Sequence, residues 1–124
     1  MKKILLVDDE ADTLRTYSDI LSSEGYDVTT ASSGDEAARM IDGYRPDLVL
    51  LDVMIPGKNG VEVARELSER QDTKDIPIVM ITALSAIPSV NGLDTIPGIR
   101  RLIYKPCRPR TLLESVDNVL RYGR

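Results

Sequence analysis

Short apolar runs alternate with amphipathic stretches along the whole chain, and this alternation constrains the fold more than any other feature. Lys3–Val7 reads as a buried strand. Ala11, Leu14, Tyr17, Ile20 and Leu21 follow at helical spacing, and Gly25 stands where a C-terminal cap belongs. Tyr26–Ala31 is β-branched and strand-like. Ser33 and Glu36 have capping-box spacing ahead of a helix carrying Ala37, Met40 and Ile41, which Gly43 and Pro46 should end. Leu48–Leu51 is a continuous apolar run, expected of a strand buried on both faces. Two turn signals, Pro56-Gly57 and Asn59-Gly60, precede a helical stripe of Val61, Val63, Ala64 and Leu67. Ile76–Ile81, entered through Pro77, is a fourth strand and Leu102–Tyr104 a short fifth. Leu112, Leu113, Val116, Val119 and Leu120 form a last amphipathic helix, with Pro109 near its start.

Strict β/α alternation implies right-handed crossovers and a parallel sheet covered by helices on both faces. The expected fold is therefore a flavodoxin-like α/β three-layer sandwich. Its five strands should follow the order 2-1-3-4-5, with about five helices. At 124 residues this is one domain, residues 1–124. The fourth helix is the weak point. Residues 84–98 read LSAIPSVNGLDTIPG, with Pro88 and Pro97 bracketing Asn91-Gly92, so a helix there should be short or irregular. A long connection of this kind is usually functional or mobile.

Composition excludes several chemistries. The chain has no His and one Cys, which removes His bases, His-ligated zinc, disulfide frameworks and Cys-cluster metal sites. The apolar run after Lys2 and Lys3 stops at Asp8, too early for a secretory signal, and no stretch is long enough to span a membrane. A cytoplasmic location is expected. The net charge of -4 is unevenly placed, with 7 of the 16 basic residues lying after position 97. This basic segment is either a solvated surface or a docking surface for an acidic partner. No aromatic-rich strand accompanies it, so direct nucleic-acid binding is not expected.

In an open parallel sheet, ligands bind beyond the carboxyl ends of the strands. Strand one ends in Asp8, Asp9 and Glu10, strand three in Asp52, strand four in Thr82 and strand five in Lys105. Strands one and three should be neighbours, so Asp8, Asp9 and Asp52 should converge. Three carboxylates together repel unless a cation is present, and hard oxygen donors without His or Cys suit Mg²⁺ or Mn²⁺. With Thr82 as hydroxyl donor and Lys105 as a positive charge, the group forms a cradle for a phosphoryl group. Each residue also has an ordinary reading. Asp8 and Asp9 could be turn and N-cap residues, Asp52 could begin a turn, Thr82 could be a plain strand residue and Lys105 a solvated one. Their joint placement at four strand ends favours the chemical reading.

ILLVDDE at 4–10, PDLVLLDVMIPGKNG at 46–60, IVMITA at 78–83 and YKP at 104–106 together resemble the receiver (CheY-like) domain of two-component response regulators, over the whole chain. The resemblance implies that Asp52 is the phosphoacceptor. It implies that Asp8 and Asp9 hold Mg²⁺, Asp9 directly and Asp8 largely through water, with Asp52 and the Met54 backbone carbonyl as the other protein ligands. Thr82 would bond a phosphoryl oxygen, and Lys105 would pair with that group or with Asp52. The Lys105–Pro106 bond is often cis in the family. The phosphodonor would be a histidine on a sensor kinase or phosphotransfer protein, and the output would pass to a downstream target by protein contact. The domain would be a monomer or weak dimer and not a turnover enzyme. Met54 and Leu84 occupy the positions that flank the attacking water, and both are apolar, so slow self-dephosphorylation is expected.

The chain departs from the family at Leu102, at Cys107 and in the Pro- and Gly-interrupted segment 84–98, which bears on the usual fourth-helix and fifth-strand switching surface. Leu102 stands where the family carries the switching Tyr or Phe. Tyr104, on the same strand face, either substitutes for that ring or is simply packed. Cys107 stands where Phe is usual, and is expected as a small buried hydrophobe. Without the aromatic switch, phosphorylation would reach this surface by ordering or shifting 84–98. The chain could equally be the receiver of a larger hybrid kinase or regulator. Two other readings compete: a pseudo-receiver acting as a constitutive interaction module with an idle pocket, and a Mg²⁺-dependent phosphohydrolase. The second lacks an Asp-x-Asp signature after Asp52 and room for a cap domain.

Overall fold

The computed structural model describes residues 1–57, 59–83 and 95–124. Five parallel strands, β1 (Lys3–Val7), β2 (Asp27–Ala31), β3 (Leu48–Asp52), β4 (Ile78–Ala83) and β5 (Ile99–Lys105), form one sheet in the order β2-β1-β3-β4-β5. Four helices lie among the described residues: α1 (Ala11–Ser23), α2 (Gly34–Tyr44), α3 (Gly60–Glu69) and α4 (Pro109–Tyr122). The expected short or irregular helix between β4 and β5, together with Leu84, lies outside the described residues. The end of that segment is described: Ile96 is buried in the core, and the Gly98 carbonyl accepts a hydrogen bond from the Ile78 N–H, 2.8 Å.

The two-residue period of the strands divides the core. Leu5, Val7, Val49, Leu51, Ile78 and Met80 face α2 and α3, packing on Ala37, Ile41, Val63, Ala64 and Leu67. Ile4, Leu6, Leu48, Leu50, Val79 and Ile81 face α1 and α4, packing on Tyr17, Leu21, Leu112, Val116 and Val119. The central β3 is buried along its whole length, as its unbroken apolar run requires. The edge strand β2 is mostly half-buried. Ala11, at the first turn of α1, is exposed rather than part of the apolar stripe.

Local punctuation works largely as the sequence indicates. Gly25 takes φ +93°, and its N–H and that of Tyr26 return to the Ser22 and Leu21 carbonyls, closing α1. The Ser33 side chain accepts from the Glu36 N–H at 3.1 Å, but the reciprocal arm lands one residue early. Glu36 accepts from the N–H and hydroxyl of Ser32. These bonds hold its carboxyl below the ordinary carboxylate range. Gly43 does not end α2, since it lies inside the last turn. Arg45 ends it instead, at φ 54°, because Pro46 disfavours a helical residue before it. Pro109 is the first residue of α4 and Gly123 closes it in the left-handed conformation. Strand β4 starts two residues after Ile76, and β5 is longer than Leu102–Tyr104.

Candidate functional site

Parallel pairing fixes the site. Val7 is in register with Leu51, so the residues just beyond, Asp8 and Asp52, leave neighbouring strands at one level. Both are almost fully buried. Asp8, Asp9 and Asp52 each offer a carboxylate oxygen within 4.8 Å of the others, with Asp9 the exposed member. Lys105, at the end of β5, reaches across the sheet edge. Its Nζ lies 2.6 Å from Asp8 Oδ2, 2.9 Å from Asp52 Oδ2 and 3.5 Å from Glu10 Oε1.

The backbone orients both buried carboxylates. Asp8 Oδ1 accepts from the Glu10 N–H at 3.0 Å, and Asp52 Oδ1 accepts from the Met54 N–H at 3.0 Å. Each aspartate therefore forms an Asx turn with one oxygen and offers the other to Lys105. The turn expected of Asp8 uses one oxygen of its carboxylate, and the other oxygen faces Lys105.

Burial pushes the Asp52 pKa up, and the Asp8 charge adds to this; the Lys105 ammonium and the Met54 N–H oppose it without cancelling it. Burial likewise works against the Lys105 charge, but its bonds to Asp8 and Asp52 outweigh that cost and raise its pKa. The result is a cation held firmly charged beside a buried carboxylate. All-oxygen donors with no His or Cys among them suit a hard divalent cation, and the three-carboxylate cluster can hold one.

Thr82 is fully buried, and its hydroxyl contacts the Ala83 carbonyl at 3.4 Å rather than Asp52. Tyr104 pairs with Thr82 in the register of β4 and β5 but is not packed. It lies at the end of the strand and is 41% exposed. Leu102 is partly buried against the α2–α3 side of the core. The Lys105–Pro106 bond is cis. Cys107 is half-buried rather than buried, and its thiol donates to the Tyr17 hydroxyl at 3.5 Å. Burial first, and this thiol second, push the Tyr17 pKa up to about 12. The Met54 side chain is exposed beside the site.

Two site residues escaped the sequence reading. Glu10 was visible only as a third acid after Asp9. Gly60 read as half of a turn signal, yet a Cβ there would lie 2.2 Å from the Asp52 carbonyl oxygen and 2.8 Å from the Val53 Cα. The start of α3 is thus pressed against the carboxyl end of β3, and the Gly60 N–H donates to the Val53 carbonyl at 2.9 Å. No local pattern separates such a close-approach glycine from an ordinary turn glycine.

With this geometry in place, comparison with known proteins identifies the class. Residues 4–117 match the response regulator receiver domain, and the chain belongs to that family. It is 40% identical over 121 residues to the phosphate regulon transcriptional regulatory protein PhoB of Pseudomonas aeruginosa, covering 97% of this chain and 52% of that protein. It is also 40% identical to the DNA-binding response regulator MtrA of Mycobacterium tuberculosis, covering 97% of this chain and 51% of that one. The chain thus spans about half the length of the curated relatives it matches. Among solved structures, a response regulator from Chloroflexus aurantiacus superposes with a TM-score of 0.87 at 32% identity, over 97% of this chain and 98% of that one. The chemotaxis response regulator CheY4 of Vibrio cholerae gives 0.84 at 30% identity, over 96% and 98%. The function that goes with this homology is phosphorylation-dependent two-component signalling.

Proposed function

We propose that Asp52 is the phosphoacceptor of this receiver, and that the domain is a switch rather than a turnover enzyme. The observation that carries the proposal is the sharing of one ammonium, Lys105, between Asp52 and Asp8 inside a three-carboxylate cluster. The free energy needed to bury these charges has no evident structural return, since apolar residues would fill the same space at lower cost. Asp52 Oδ2, already turned toward Lys105, attacks the phosphorus of a phosphohistidine on a sensor kinase or phosphotransfer protein. The P–O bond forms, the P–N bond breaks, and its electron pair leaves with the imidazole, which takes up a proton. Lys105 follows the charge from the carboxylate to the phosphoryl oxygens. Thr82 would turn its hydroxyl from the Ala83 carbonyl to a phosphoryl oxygen. Asp8 and Asp9, with the Met54 carbonyl, would hold Mg²⁺ (Mn²⁺ as a substitute), which supplies charge neutralisation between the anionic nucleophile and the anionic donor.

The signal then passes to a downstream target by protein contact, with the domain as monomer or weak dimer. No helix among the described residues is long and apolar enough to cross a membrane, which agrees with a cytoplasmic setting. The exposed apolar Met54 side chain cannot orient a water on the phosphoryl group, so loss of the group should be slow. Intact mass after incubation with Mg²⁺ and acetyl phosphate tests the reading. One phosphoryl adduct is expected, dependent on Mg²⁺ and absent in Asp52→Asn. The same assay on Met54→Asn should show a shorter adduct lifetime. No adduct in the unsubstituted chain, with Mg²⁺ binding intact, would make the domain a pseudo-receiver.

A further inference from the structure

Glu10 occupies the N-cap position of α1, with φ −92° and ψ 115°, and its carbonyl accepts the first helical bond from the Leu14 N–H. A side chain at this position ordinarily caps the helix. That of Glu10 makes no capping bond. It extends instead toward Lys105, with Oε1 3.5 Å from Nζ, while its own N–H fixes Asp8. Its side chain is 66% exposed, whereas those of Asp8 and Asp52 are 1% and 6% exposed. The ammonium thus has two buried carboxylate partners at close range and one solvent-side partner at longer range.

This arrangement bears on how a cation enters. Lys105 Nζ sits 2.6 Å from Asp8, one of the three residues whose oxygens converge on the candidate metal position. An ammonium and a divalent cation on the same carboxylate repel each other strongly in a partly buried setting. Lys105 must therefore loosen its hold on Asp8 as the cation binds. Asp52 alone would then carry a cation that burial disfavours, unless a further acceptor lies within reach. Glu10 is that acceptor on the solvent side.

We propose that Glu10 is a positioning residue that takes up Lys105 when Asp8 is engaged by a divalent cation. It thereby sets how readily the cation binds and where the lysine waits for the phosphoryl group. The proposal rests on the metal-binding reading of the Asp8–Asp9–Asp52 cluster. It assigns Glu10 no contact with the reacting atoms.

Calorimetric titration with Mg²⁺ is the test, on the unsubstituted chain, Glu10→Gln, Lys105→Gln and the double variant. Glu10→Gln should weaken Mg²⁺ binding by roughly 10-fold, the lower bound for changes in hydrogen-bonded partners behind metal ligands. The same substitution in the Lys105→Gln background should have a much smaller effect, because the residue acts through the lysine. Thermal unfolding of Glu10→Gln should match the unsubstituted chain, since no cap is lost. Nitrogen-15 spectra of the Lys105 ammonium give a second readout that keeps the lysine in place. On Mg²⁺ addition its signal should stay sharp with Glu10 and broaden by exchange with water in Glu10→Gln. An equal loss of affinity with and without Lys105 would reduce Glu10 to a bulk charge and overturn the proposal. So would unchanged affinity or unchanged lysine spectra in Glu10→Gln. Absence of Mg²⁺ binding in the unsubstituted chain would instead sink the metal reading of the cluster, and the proposal with it.

Discussion

Charged residues cluster at both ends of the sheet, and the two clusters behave differently because water reaches one and not the other. At the carboxyl end, Lys105 joins Asp8 and Asp52 in a pocket where the side chains are 14%, 1% and 6% exposed. On the opposite side, around the ends of α2 and α3, Arg70 joins Asp42 at 2.7 Å and Asp72 at 2.8 Å, and Arg45 reaches Asp72 at 3.7 Å. These distances rival those of the buried group, yet the side chains are 39% to 64% exposed. Exposed pairs of this kind add little to stability, because water screens them and side-chain freedom is lost in forming them. Distance alone therefore does not rank ion pairs. The buried cluster is costly to assemble and costly to break, and the exposed one is neither.

The largest expected effect is that of Lys105→Gln, which leaves two buried carboxylates without their cation. Removing one partner of a buried pair costs about 3–5 kcal/mol, and protonation of Asp52 recovers part of it. Denaturant unfolding at neutral pH without divalent cations should show a loss near the lower bound. A loss under 1 kcal/mol would erase the distinction between the two ends.

Gly60→Ala comes next. The new methyl meets backbone atoms of Asp52 and Val53 that no rotamer change can move. Overpacking of this kind costs about 1–3 kcal/mol. Because the strain falls on the strand end carrying Asp52, the proposed phosphoacceptor, the rate of adduct formation should drop as well. A stable Gly60→Ala with unchanged rate would show that α3 can withdraw from the site freely.

Asp52→Asn should act in the opposite direction, by a smaller amount. The folded state raises the Asp52 pKa, with burial as the main cause. A raised pKa means that the folded state binds the proton more tightly than the unfolded chain does. Stability from this group is full below the unfolded pKa and is lost as pH rises through the folded one. At neutral pH without divalent cations, the neutral amide should therefore raise the melting temperature. The advantage should shrink as pH falls into the carboxylate range. A lower melting temperature for Asp52→Asn at pH 7 would mean that the Lys105 bond outweighs burial.

The smallest effect is expected of Arg70→Ala. Despite bonds to two aspartates, it should barely shift the denaturant midpoint, and any shift should shrink with added salt. A large, salt-independent loss would show that the exposed network holds α2 to the α3–β4 connection as a rigid unit.

The fold was legible because its signals are local or periodic. The unbroken run Leu48–Leu51 can only be a strand covered on both faces, and its neighbours read the same way. The site was legible because strand ends in a parallel sheet all point one way, so Asp8, Asp52 and Lys105 had to meet if the strand order held. The misreadings are equally physical. Gly43 looked like a helix terminator, but the restriction that Pro46 places on Arg45 outweighed it. Tyr104 reads from its strand face as either a substitute ring or a packed one, and it lies near the strand end, 41% exposed, which goes against simple packing. The expectations for the fourth helix and Leu84 fall outside the described residues.

By itself the sequence determined the strand and helix order, the two-faced core and the set of groups available for chemistry, because periodicity and residue type are written along the chain. Only the tertiary structure decided how one ammonium is divided among Asp8, Asp52 and Glu10, and which oxygen of each aspartate the backbone claims. It also decided that Gly60 admits no side chain. These depend on distances between residues up to 97 positions apart. Such distances are set by the register of four strands and the depth of their burial, and no local segment encodes either.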